Sequence, residues 1–115
     1  MRSLRAALVV LFAPMMVLAH HGLDAQFDPH QLITLSGTVT KVEWINPHAR
    51  FYIEVKDESN TVNTWELDMG SPTAQMLRGW KIDTLKRGDR VTVNAYRARD
   101  GSNLGYARSV KATPR

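Results

Sequence analysis

The clearest hydrophobic rhythm along the chain begins at Leu35, where Leu35, Gly37 and Val39 alternate with Ser36, Thr38 and Thr40. Val42 and Trp44 continue it in the opposite phase, with Lys41 at the slip. A period of two marks a half-buried strand, and a single change of phase is what an inserted bulge residue produces, so a long, sharply coiled first strand is predicted. Asn46-Pro47 ends it, because proline gives no N–H to a ladder and restricts the residue before it, which leaves Asn46 to His48 as a turn. A second strand is predicted over Arg50 to Lys56, with Phe51, Ile53 and Val55 on one face. After the polar loop Asp57 to Asn60, a third runs from Thr61 to Met69 with Trp65, Leu67 and Met69 inward. Strands this close in sequence form an antiparallel meander.

Gly70 breaks the third strand, and Ser71-Pro72 is a helix start, a hydroxyl cap followed by proline at the first helical position. The helix is expected over Thr73 to Arg78, with Ala74 and Leu77 three apart and able to share a face and Gly79 as its stop; Trp80 and Ile82 are expected to cover one end of the body. Lys86-Arg87-Gly88-Asp89 turns the chain into a strand carrying Val91, Val93 and Ala95, and a last hairpin at Asp100-Gly101 or Asn103 leads to a closing strand, Leu104 to Ala112. Three strands, a short helix and two strands match a small five-stranded Greek-key barrel of the oligonucleotide/oligosaccharide-binding (OB) type, all-β apart from the helix between strands 3 and 4. An SH3-like barrel is the nearest competitor. The barrel domain is assigned to residues 35–112 and residues 20–34 to a histidine-containing polar lead, with Phe27 tucked against the body.

The N-terminus changes how the composition is read. Arg2 and Arg5 precede an apolar run from Ala6 to Leu18, broken only by Pro14, and Val17-Leu18-Ala19 suits cleavage after Ala19. Residues 1–19 are therefore expected to be a signal peptide and the protein to be periplasmic. The 13-residue run is shorter than the roughly 20 residues of a membrane-spanning helix, so no retained transmembrane segment is expected. Fifteen Lys and Arg against eleven Asp and Glu give a net charge of +4, two units of which leave with the leader. The excess is thus no sign of a nucleic-acid partner. What remains is uneven: residues 20–77 hold three basic and eight acidic side chains, residues 78–115 ten and three. The chain has no cysteine, which excludes disulfides, thiolate catalysis, iron–sulfur clusters and copper centres that need a thiolate.

Cleavage after Ala19 would make His20 the first residue, so that its free α-amine and imidazole could close a chelate on one metal ion. Both groups can serve as neutral ligands near neutral pH, the amine giving up its proton to the metal, with reference pKa values of about 7.7–8.0 and about 6.5. His21 offers a further nitrogen and Asp24 an oxygen or a supporting hydrogen bond. His48, held by the Asn46-Pro47 turn, is the distant imidazole that would tie the metal to the fold. A nitrogen-rich set suits copper(II), with zinc second. His30, after Pro29, reads as solvent-exposed.

The alternative is a binding module, in which Trp44, Arg97 and Arg99 on an open barrel face take an oligosaccharide or a cell-envelope protein. Trp65 falls in the apolar phase of its strand and is expected in the core. No catalytic set is legible: Glu43, Glu54, Glu66, Asp68 and Asp83 have the spacing of polar strand faces, and neither a nucleophile elbow nor a phosphate-binding fingerprint occurs.

His20-His21, Phe27-Asp28, Gly37-Thr38-Val39, Trp44-Ile45-Asn46-Pro47-His48, Gly70-Ser71-Pro72, Arg78-Gly79-Trp80 and Leu85 to Val91 together resemble a family of small bacterial periplasmic proteins that share a domain of unknown function numbered 6152. The resemblance implies export, a single domain and a shared barrel; it brings no reaction with it. His20, His21 and His48 fall at matching positions, whereas Gly22 and Leu23 stand where the family usually has serine and phenylalanine.

Overall fold

The computed structural model describes residues 25–114. The expected signal peptide, His20, His21 and Asp24 lie outside the described residues. Five strands, β1 (Phe27–Glu43), β2 (Ala49–Lys56), β3 (Val62–Gly70), β4 (Arg90–Ala98) and β5 (Leu104–Ala112), close a barrel in the order β1-β2-β3-β5-β4. The helix α1 (Pro72–Leu77) sits between β3 and β4. All pairings are antiparallel except β3 with β5, where Glu66, Leu67 and Asp68 lie beside Leu104, Gly105 and Tyr106. One parallel closure in an otherwise antiparallel five-stranded barrel is the OB arrangement predicted from the order of elements.

The length of β1 makes closure possible, because it pairs with β2 on one side and with β4 on the other. The predicted phase slip is real: the β1–β2 register shifts between Val39 and Lys41, leaving Thr40 as the bulge residue. At Thr38 the strand is paired on both sides, with Glu54 and with Arg90, and the coiled backbone there leaves no room for a side chain on Gly37. The interior is filled by the apolar phases read from the sequence, with Val39, Phe51, Ile53, Leu67 and Val93 completely enclosed and Trp65 buried beside them.

Two local expectations are corrected. β1 begins at Phe27, not at Leu35, so most of the polar lead is strand. Periodicity missed it because β1 and β4 lose register between Phe27 and Leu32. Pro29 lies in that gap, where a missing N–H breaks no ladder bond. Phe27 is buried as expected, and His30 is exposed. In α1 the Ser71 cap holds, its hydroxyl accepting from the Ala74 N–H at 3.1 Å, but Leu77 is 85% exposed and the buried side chains are Pro72 and Gln75. Gln75 faces inward because its amide donates to the Met69 carbonyl at the end of β3. Ile82 is likewise exposed; Leu85 fills that part of the core, with Trp80 half-buried against it.

Candidate functional site

The first turn places His48 just before β2, after a cis Asn46–Pro47 bond. Its Nδ1 lies 2.9 Å from Oδ2 of Asp68 on β3. A carboxylate only accepts, so Nδ1 carries the proton and Nε2 is left as the ring's second nitrogen. Asp68 is itself fixed, its Oδ1 accepting the Gly70 N–H at 2.8 Å. The imidazole is 43% exposed and the carboxylate 14%, so a shielded anion orients a ring whose other edge meets solvent. Nε2 has no hydrogen-bond partner among the described residues.

The start of β1 is close to this pair. In the parallel β3–β5 pairing Asp68 lies beside Tyr106, and the rings of Tyr106 and Phe27 have centroids 5.7 Å apart. The Tyr106 hydroxyl stands over Gly70, which adopts φ +85° and would bring a β-carbon to 3.2 Å from that oxygen. Phe27, Tyr106, Gly70, Asp68 and His48 thus form one connected edge, and the chain before Phe27 enters the fold there. Periodicity read Asp68 only as part of a polar strand face and left Tyr106 unremarked; the recoverable signal was that Asp68 occupies the outward phase of β3 opposite the start of β2, next to His48.

Beside this edge, the outward faces of β1, β2 and β3 carry alternating charge. Arg50 lies in register with Glu43 on one side and Asp68 on the other, and Tyr52 with Lys41 and Glu66. The Tyr52 hydroxyl donates to Glu66 Oε1 at 2.9 Å, and Lys41 stands 5.5 Å from the centre of its ring and 3.7 Å from Glu43. Hydrogen bonding to Glu43, then burial, then hydrogen bonding to Glu66 push the Tyr52 phenol well above its ordinary range. The same bond from Tyr52, opposed by burial and helped by Lys41 and Arg50, holds the Glu43 carboxyl below its usual value.

The residues considered for a binding module lie just after β1, on β4 and just beyond the end of β4. Trp44 packs, half-buried, against the core. The Arg97 guanidinium lies 5.1 Å from the Trp65 ring centre and donates to the Gly101 carbonyl at 2.7 Å. Arg99 is exposed beyond the end of β4, its backbone N–H bonded to Gln26. A separate open cleft of about 470 Å³ lies where β1 passes between β2 and β4, lined by Ser36, Thr38, Glu54, Lys56, Arg90 and Thr113 among others. Among the described residues no three His, Asp or Glu side chains converge as a metal-binding group, and no helix is long and apolar enough to cross a membrane.

Comparison with known proteins agrees with this architecture. A family model described as "Family of unknown function (DUF6152)" matches residues 8–107. No curated protein sequence matches the chain. Among solved structures, the barrel is similar to the mitochondrial single-stranded DNA binding protein of S. cerevisiae, with a TM-score of 0.54 and 12% identity over 71% of this chain and 92% of that one. It is also similar to the N-terminal domain of the PriB protein of Thermoanaerobacter tencongensis, with a TM-score of 0.50 and 21% identity over 74% of this chain and 98% of that one. At these identities the likeness establishes the OB fold alone.

Proposed function

The chain belongs to the family of unknown function DUF6152, and on that premise, which carries no activity with it, we propose that it is an exported metal-binding protein that takes copper(II) in preference to zinc. The observation that carries the reading is the imidazole of His48, oriented through Nδ1 by Asp68 with Nε2 left over. A histidine that ligates a metal usually gives its other ring N–H to a carboxylate, which sets the tautomer and strengthens the donor. His48 supplies one nitrogen, and the amine and imidazole of His20, with His21, supply the rest; Asp24 is available as an oxygen donor or hydrogen-bond acceptor. β1 starts beside Tyr106, on the edge that carries Asp68 and His48, and seven residues of extended chain span at most about 25 Å.

The test is copper(II) titration by calorimetry and electron paramagnetic resonance on processed protein whose N-terminal residue is established by mass spectrometry. Nitrogen hyperfine structure from several ligands, weakened in His48→Ala and in a chain retaining one residue before His20, is the expected result. Equal affinity in all three proteins would overturn the assignment.

A second reading, a module for an oligosaccharide, is favoured by the cleft between β2 and β4, where hydroxyls of Ser36, Thr38 and Thr113 accompany Glu54, Lys56 and Arg90. A nucleic acid is the weaker partner. The outward face of β1 to β3 sets Glu43, Glu66 and Asp68 against Lys41 and Arg50, so it offers no net positive surface to the phosphates that supply most non-specific affinity.

A further inference from the structure

Exposed apolar side chains are concentrated in one short segment, from the end of α1 into the loop before β4. Leu77 is 85% exposed, Ile82 71% and Met76 59%, three large hydrophobics within seven residues, with Trp80 half-buried between them. Singly exposed leucines are ordinary; a cluster of this kind marks a contact surface. The backbone holds these side chains out. The Gln75 carbonyl accepts from the N–H groups of Arg78 and Trp80, both at 3.0 Å, and Gly79 donates to Met76 at 3.0 Å. Lys81 and Thr84 exchange two bonds, Lys81 N–H to the Thr84 hydroxyl at 2.7 Å and Thr84 N–H to the Lys81 carbonyl at 3.1 Å. Below the segment, Leu85 is anchored in the core.

Cations are interleaved with the apolar residues. Arg78 and Lys81 lie within the segment and Lys86-Arg87 just beyond it, against the single acidic residue Asp83. Among the described residues neither Arg78 nor Lys81 is paired with a carboxylate. Protruding aliphatic side chains, an aromatic at their base and unpaired cations around them are complementary to one environment, the boundary between anionic headgroups and acyl chains.

We propose that the segment from Met76 to Arg87 is a docking site for anionic phospholipid surfaces. Leu77 and Ile82 enter the headgroup layer, Arg78 and Lys81 meet the phosphates, and Trp80 lies at the level between. The site is independent of His48 and of any bound metal, and it holds the barrel at a membrane surface without a spanning helix.

The experiment is co-sedimentation of the processed protein, its apolar leader shown by mass spectrometry to be absent, with vesicles of phosphatidylcholine alone or mixed with phosphatidylglycerol. Binding is expected only to the mixed vesicles and should weaken as salt shortens the screening length from about 10 Å at 0.1 M to about 3 Å at 1 M. The double substitutions Leu77→Asp/Ile82→Asp and Arg78→Gln/Lys81→Gln should each lower the bound fraction roughly tenfold or more. Their melting temperatures should stay at the parent value, since the altered side chains are exposed. Equal binding to neutral vesicles, absence of binding, or binding unchanged by either pair of substitutions would overturn the proposal. So would self-association abolished by Leu77→Asp/Ile82→Asp in protein that ignores vesicles, which would give the segment to a second copy of the chain.

Discussion

A β-carbon on Gly37 would collide with the backbone carbonyl oxygen of Glu54 across the β1–β2 pairing. Backbone cannot swing aside as a long side chain can, so β1 and β2 would have to separate at the point where β1 also pairs with β4. Gly37→Ala should therefore destabilise the barrel by about 2 kcal/mol or more, although alanine elsewhere in a strand is better than glycine by roughly 0.5–1 kcal/mol. Urea denaturation measures the difference. A neutral or stabilising alanine would mean that the strands are not this close.

Gly37 also illustrates what the chain makes legible. Its place in an alternating run reads as strand, and the phase slip at Lys41 reads as a bulge, because both follow from side chains facing alternately in and out. The close approach to Glu54 does not, since it depends on which strand lies alongside. The same division runs through the candidate site. His48 is recognisable because a proline-bearing turn and an imidazole are local features, but its partner Asp68 lies on another strand and looks like any polar strand residue. In α1 the Ser71-Pro72 start is local and readable. The inward turn of Gln75 is not, because a carbonyl at the end of β3 decides it. The first part of β1 is hidden for a related reason: its pairing with β4 is interrupted around Pro29, so no alternation is imposed there.

Gln75 and Leu77 should respond in the opposite order from their hydrophobicity. Gln75→Ala leaves the Met69 carbonyl without its side-chain donor and should cost about 1–3 kcal/mol. Leu77→Ala, at a solvent-exposed position, should stay within about 0.5 kcal/mol of the parent. Ser71→Ala, which removes the cap on the Ala74 N–H, should cost about 1 kcal/mol. Thermal or urea unfolding of the three variants checks the ranking, and a leucine effect exceeding the glutamine effect would contradict the burial of this helix.

Tyr52 couples the two carboxylates that flank it, and the signs of its effects differ at the two ends of the pH scale. Its phenol is raised in the folded protein, so its contribution to stability is present below the unfolded value of about 10 and is lost as pH rises through the higher folded value. Glu43 is lowered from 4.5, so its contribution is present above that value and is lost as pH falls through the lower folded one. Tyr52→Phe should be less stable than the parent at neutral pH, with the gap closing on acidification below about 4. Phenolate absorbance should show that the substitution removes no group ionising near the usual value of about 10. A gap that is the same at neutral and acid pH would show that Glu43 is not linked to Tyr52.

Asp68→Asn gives the sharpest test of the metal site, because it removes the charge behind His48 while keeping the shape. The amide oxygen can still accept the Gly70 N–H, so the end of β3 should hold and the melting temperature should change little. What is lost is a carboxylate acceptor for Nδ1–H, and with it the definite tautomer and part of the donor strength of Nε2. Copper(II) affinity should fall by about 10–100-fold, and His48→Ala should lower it at least as far. If His48→Ala weakens binding and Asp68→Asn does not, His48 is a ligand that needs no orientation from Asp68. If neither does, the N-terminal histidines hold copper without the barrel, and the pairing of His48 with Asp68 serves only to fix the turn between β1 and β2 against β3.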